Sequence, residues 1–183
     1  NDGDTISVKS GTYEGDIIVN KAIQLIGENR ETTVIESGMG VTVEASNVTI
    51  RGFKIQYSTF QGIWVKSSNN FISNNNLTGS RFEGIMVDGR EAMATRNVIA
   101  DNYMTNNQGC GILVWGASNN IITSNAATRN AYGVYLYSFS STTGNNVISS
   151  NKITENQDAG LVLNAWSSRN YAICNNISNN GWG

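Results

Sequence analysis

The chain has 183 residues, 39% of them hydrophobic and only 14% charged, with 27 Asn, 19 Gly, no Pro and no His. That length fits one domain with a real core and no need of disulfides. So much Asn and Gly excludes a helical protein, the low charge excludes a disordered one, and a net charge of −2 with scattered basic residues gives nucleic-acid binding no support.

The first third reads as short strands. Thr5-Ile6-Ser7-Val8, Asp16-Ile17-Ile18-Val19, the run Ala22 to Gly27, Thr33-Val34-Ile35 and Val41-Thr42-Val43 all alternate or run apolar over a few residues, which is strand period. A degenerate repeat follows at Asn47-Val48-Thr49-Ile50-Arg51-Gly52, with Phe53 and Ile55 after it.

From residue 62 onward two repeats interlock. One is Gly followed by apolar-x-apolar, starting at Gly62, Gly84, Gly111, Gly133 and Gly160, with spacings of 22, 27, 22 and 27. The other is Asn-x-apolar-x-x-Asn-x-apolar, starting at Asn70, Asn97, Asn120, Asn146 and Asn170 and with its second Asn at Asn75, Asn102, Asn125, Asn151 and Asn175. Strands of three to five residues cannot stand alone. Stacked at ~4.8 Å per turn they pair in parallel and bury a common interior. Asn at the corners can form ladders, Gly before a strand leaves room at a corner, and the absence of Pro spares the ladder its donors. The expected fold is all-β: a right-handed parallel β-helix of about seven coils of 22–27 residues, one domain over 1–183, with no large capping helix. Spare residues of the longer coils should loop out around Asp88–Arg96 and Ser138–Asn145.

On these residues the chain resembles a known group. Gly3-Asp4-Thr5-Ile6, Gly11-Thr12-Tyr13 and Ile23-Gln24-Leu25-Ile26-Gly27 followed by Thr33-Val34-Ile35 look like the opening coils of NosD-like proteins, and pectin-esterase-like β-helices open similarly. The resemblance covers nearly the whole chain. It implies the pectin-lyase-like superfamily fold, and it is associated with archaeal cell envelopes, so it implies a surface role more than a reaction.

Sets of residues that carry chemistry are sparse. Without His, His-dependent acid–base catalysis and His-ligated metals are out. Four scattered Met and two Cys make no copper site. No metal or cofactor is expected, and no recognisable catalytic set, so the reading is of a chain that is not an enzyme. The best residues for a uronate lyase or epimerase are Lys66, Glu83, Asp88, Arg90, Glu91 and Asp101, around the first long loop; a solvated loop of mixed charge is the plainer reading.

One surface stands out. If Ile63 and Val65 face inward, alternation puts Trp64 and Lys66 outward, then Met86 and Asp88, Leu113 and Trp115, Tyr135 and Tyr137, and Val162 and Asn164 in successive coils, with Trp166 just beyond. Apolar and aromatic side chains in a column mark a binding or assembly face, for sugar rings or for a protein partner.

Neither end is expected to carry a cap: the first strand-like segment begins at Thr5, and Gly183 falls where a new coil would begin. Copies of the chain are therefore the expected partners, in a surface layer, sheath or filament, the alternative being that the sequence is a fragment of a larger protein whose other parts cover the ends. Cys110 and Cys174 are more than two coils apart, beyond the ~7 Å that a disulfide spans, which leaves free thiols or an intersubunit bridge. Sequons at Asn47, Asn76 and Asn176 are possible glycosylation sites, some arising by chance in so Asn-rich a chain. No run of ~18 apolar residues suggests a membrane span and no leader is visible. The expected role is a non-catalytic exported structural protein at the cell surface. The alternatives are a polysaccharide-binding module using the aromatic face, and a uronate lyase or epimerase.

Overall fold

The computed structural model describes residues 1–36, 38–138, 143–164 and 166–182. Every regular element among them is a short strand, and no helix is present. Each coil contributes one strand to each of three parallel sheets. The first sheet has eight strands, from Thr5–Val8 to Tyr171–Ile173. The second has eight, from Gly11–Glu14 to Asn176–Ser178, and the third seven, from Ile17–Val19 to Ala159–Leu163. Seven complete coils and two strands of an eighth result, which is the solenoid the repeats imply. The expected N-terminal strands are present within a residue or two at their ends. One strand, Gly11–Glu14, has too little apolar alternation to be read as such.

Inside, equivalent residues stack in columns. Leu25, Ile50, Ile72, Ile99, Ile122 and Ile148 pair in register and are buried. Burying each such side chain contributes roughly 1.5–3 kcal/mol. The core is thus a stack of aliphatic rungs rather than a cluster around one centre.

The corners are built from amides. Three columns of Asn run up the solenoid, two of them evident in the repeats. In the second column Asn75 Nδ2 donates to Asn102 Oδ1 (3.1 Å), Asn102 to Asn125 (3.1 Å), Asn125 to Asn151 (3.0 Å) and Asn151 to Asn175 (2.9 Å). Each Oδ1 also accepts the backbone N–H of the Asn one coil earlier. A third column, Asn107-Asn130-Asn156-Asn180, does the same between the second and third sheets. It continues the five-residue Asn spacing beyond the two-Asn motif.

The residue before each ladder Asn takes a left-handed backbone: Asn74, Asp101, Ser124, Ser150 and Cys174 have φ between 52° and 57°. Such a backbone costs a residue with a Cβ roughly 1–2 kcal/mol, least for Asn and Asp. The ladder bonds offset it. The repeat glycines make room where a side chain would obstruct, as expected, and do so without a left-handed backbone. Gly133 keeps a negative φ, but a Cβ there would lie 2.3 Å from Ile153 Cγ2 and 2.4 Å from the Gly160 carbonyl oxygen. Close stacking of coils, not backbone handedness, requires glycine there.

The 22- and 27-residue spacings also find their cause. Extra residues leave the third sheet between Ile85–Asp88 and Val98–Ala100, and again between Tyr132–Tyr137 and Val147–Ser149. Of the second loop, residues 139–142 lie outside the described residues.

Candidate glycan-binding face

The outward column forms as expected. Trp64, Met86, Leu113, Tyr135 and Val162 are register partners in consecutive strands of the third sheet, and Asp88, Trp115 and Tyr137 form the next column. Its surface, however, is not a flat exposed stripe. Met86 and Leu113 are buried, 2% and 8% exposed, and with Cys110 they form a small apolar cluster outside the main core. Trp64, Trp115, Tyr132, Tyr135 and Tyr137 pack against it and stay half-exposed. At ~4.8 Å between coils a large ring overlaps its smaller neighbour, so the smaller side chains become the floor and the rings the walls. Trp166 is not among the residues packed there; it is 61% exposed on a turn, its backbone N–H donating to Asn164 Oδ1 (3.2 Å).

The rings hold one another edge-on: Trp115 to Tyr137 at 5.3 Å and Tyr135 to Tyr137 at 5.7 Å between centroids. Two cations lie on the tryptophans, Arg90 with its guanidinium 3.8 Å from the Trp115 ring centre and Lys66 with its ammonium 4.7 Å from that of Trp64. Asp88 ties the face together. Its carboxylate is nearly buried and accepts two bonds from the Arg90 guanidinium, Nε to Oδ1 (2.8 Å) and NH2 to Oδ2 (2.7 Å), and a third from Trp64 Nε1 (3.1 Å). Burial alone would push this carboxyl up, but the Arg90 bonds outweigh it and hold it below its usual range.

Beside this lies a groove of about 320 Å³ whose walls include Phe60, Phe82, Trp64 and Trp115, with Glu83 and Arg90 among its polar groups. Phe60 and Phe82, 5.8 Å apart, come from the corners preceding their strands and carry no signal of a site in the repeat pattern. Gln61 Nε2 donates to Glu83 Oε2 (3.1 Å), and burial raises the Glu83 carboxyl above its ordinary value despite that bond. A smaller depression next to it, of about 240 Å³, is lined by Glu44, Lys66, Asp88, Glu91 and Ala92, with Lys66 Nζ 3.7 Å from Glu91 Oε2. Five of the six residues considered for lyase chemistry therefore meet on this face. Asp101 does not: it sits at a left-handed corner between the first and second sheets. Among the described residues no group of three or more acidic or sulfur side chains is placed to hold a metal ion.

The other sequence-selected residues lie elsewhere. Cys110 and Cys174 are both free. Cys110 is buried beneath the aromatic cluster, and burial, with Glu83 nearby, pushes its thiol far up. Neither access nor thiolate is available there for an intersubunit bridge, and only Cys174 is exposed. Of the sequons, Asn47 and Asn176 are exposed, whereas Asn76 is half-buried with its Nδ2 bonded to Glu31 Oε2 (3.2 Å).

A family model for the right-handed β-helix region matches residues 39–183. The chain belongs to this right-handed β-helix family. A comparison with curated protein sequences gives no match. Among solved structures, a mutant of the periplasmic alginate epimerase AlgG is similar at 15% identity and a TM-score of 0.57, covering 94% of this chain and 45% of that one. The catalytic domain of a GH87 α-1,3-glucanase bound to nigerose is similar at 17% identity and a TM-score of 0.54, over 85% and 36%. ORF18 of Geobacillus virus E2 is similar at 14% identity and a TM-score of 0.61, over 97% and 42%. The chain spans less than half the length of each of these, and at such identities the likeness is one of fold.

One expectation is corrected by these comparisons. The lack of His and of a familiar catalytic set points to a chain that is not an enzyme, yet two of the structures it resembles are carbohydrate-active enzymes. Missing His removes only one kind of acid and base. A carboxyl raised by burial, as Glu83 is, can also serve.

Proposed function

We propose that the outer face of the third sheet binds a polysaccharide chain lying across successive coils, with Trp64 and Trp115 as stacking platforms and Phe60 and Phe82 as one wall. The observation that carries this reading is the groove of about 320 Å³ with four aromatic rings in its walls and few charged groups. Sugar rings present apolar C–H faces that pack on aromatic planes, and their hydroxyls bond to groups such as Gln61 and Glu83 at the margin. The glycan chemistry of the epimerase and the glucanase favours a glycan over a protein as the occupant, and the periplasmic address of the epimerase favours export. Affinity electrophoresis in gels containing soluble polysaccharides tests the reading. Retardation that Trp115→Ala abolishes supports it. Unretarded migration in every polymer, with dimers on size exclusion that Trp115→Ala dissociates, would instead make the face a contact between copies.

A second reading is favoured by one observation. Glu83 and Asp88 share this face with their carboxyls displaced in opposite directions. Opposed shifts are how neighbouring carboxyls divide acid and base roles. In this reading Glu83 donates a proton to a glycosidic oxygen held in the groove as the bond from that oxygen to the anomeric carbon breaks. Water then adds to that carbon and returns a proton to the Glu83 carboxylate, while Asp88, kept ionised, fixes Arg90 and Trp64 in place. Glu83→Gln would then abolish release of reducing ends while leaving retardation in the gel intact; unchanged release would end this reading.

A further inference from the structure

The charges on the outer face of the third sheet bear on the class of glycan it takes, provided that this face is the binding surface proposed above. A polyuronate carries a carboxylate on each sugar, and a site for it needs cations free to receive them. The residues lining the groove and the depression beside it include four carboxyls, Glu44, Glu83, Asp88 and Glu91, and two cations, Lys66 and Arg90. Both cations are already engaged. Arg90 gives two bonds to Asp88 and sits over the Trp115 ring, its guanidinium carbon 3.8 Å from the ring centre. Lys66 is paired with Glu91 and lies over Trp64. Bringing a substrate carboxylate here would mean breaking a two-bond ion pair with a nearly buried partner, and doing so against an excess of negative charge.

We infer that the face takes a neutral glycan, a chain of unsubstituted hexoses, in preference to a polyuronate. Hydroxyls need no free cation. They accept from Arg90's outer edge, donate to the Glu83 carboxyl in the groove, and leave the ring faces to the tryptophans.

The test is affinity electrophoresis of the whole chain in gels cast with neutral polymers (soluble α-glucan, β-glucan and mannan) or with polygalacturonate and alginate, at low and high salt. The expected result is retardation in at least one neutral polymer, changed less than about twofold by salt because no ion pair forms, and none in the polyuronates. Glu91→Gln releases Lys66 from a residue whose own side chain is 83% exposed, so the fold is undisturbed. It should raise polyuronate retardation at low salt severalfold while leaving the neutral polymer unchanged. Retardation of the native chain by a polyuronate as strong as by any neutral polymer would overturn the inference and keep the face as a binding surface. Migration unaffected by every polymer would overturn both.

Discussion

The inner corners and the outer face of the third sheet are made from the same coils, yet they follow opposite rules. At the corners the residue type hardly changes: Asn75, Asn102, Asn125, Asn151 and Asn175 repeat one geometry, each amide bonded to the next. On the outer face the residue at one register position is Trp64, then Met86, Leu113, Tyr135 and Val162. Uniformity is what stacking demands, because a ladder bond is satisfied only if the next coil carries the same group. Variety is what a recognition surface needs, because rims and floor must differ. Even within the inner columns there is a division: in the third coil Val48 and Phe53 occupy positions taken by Asn70 and Asn75 in the fourth, and their backbone N–H groups donate to those two Asn. The apolar coils end where the amide ladders begin.

The widest separation between the two regions should appear on cutting a ladder. Asn125→Ala removes the acceptor of two donors from Asn102 and two donated bonds, to Ile99 O and Asn151 Oδ1. With these groups buried, it should cost about 3–5 kcal/mol, read as a drop in the denaturant midpoint, and should leave glycan affinity per folded molecule unchanged. Trp115→Ala should do the reverse. Retention by the polymer should fall by about ten- to a hundredfold, roughly 1.4–2.7 kcal/mol, with a smaller drop in the midpoint than Asn125→Ala gives, since the half-exposed ring loses its packing on Leu113 and Tyr137. If both variants lost stability equally and binding together, the division between scaffold columns and recognition column would fail.

Proton linkage sharpens the comparison further. Burial raises Glu83 in the folded chain, so its contribution favours folding at low pH and fades as pH rises from about 4.5, its unfolded value, through the folded one. Asp88 acts with the opposite sign: its contribution is present above its unfolded value near 3.8 and is lost as pH falls through the lower folded one. Denaturation midpoints across the acid range should show both slopes, and Glu83→Gln should erase only the first. The smallest effect belongs to the exposed pair of Arg129 and Glu155, 2.9 Å apart at the left-handed corner positions that follow the second sheet's strands. Arg129→Ala should shift stability by less than about 0.5 kcal/mol. A larger shift would mean that exposed ion pairs between corners add to the ladders' scaffold energy.

Much of this architecture is legible in the chain alone. Short apolar alternation, Gly and Asn spacings of 22 to 27 residues and the absence of Pro together prescribe parallel coils, and the period of two assigns each side chain to the inside or the outside. Trp64, Met86 and Leu113 can thus be placed in one column. Tertiary structure alone decided the rest. Whether Met86 is exposed depends on the size of the rings one coil away. Whether Arg90 can meet a ligand depends on Asp88, which folds beneath it. Whether Cys110 reacts depends on what covers it. The pull of Phe60 and Phe82 into the groove comes from corners that no repeat marks. A repeat specifies direction and height, because these follow from backbone geometry residue by residue. Cover, pairing and acidity depend on distances between side chains from different coils, which exist only once the coils are stacked.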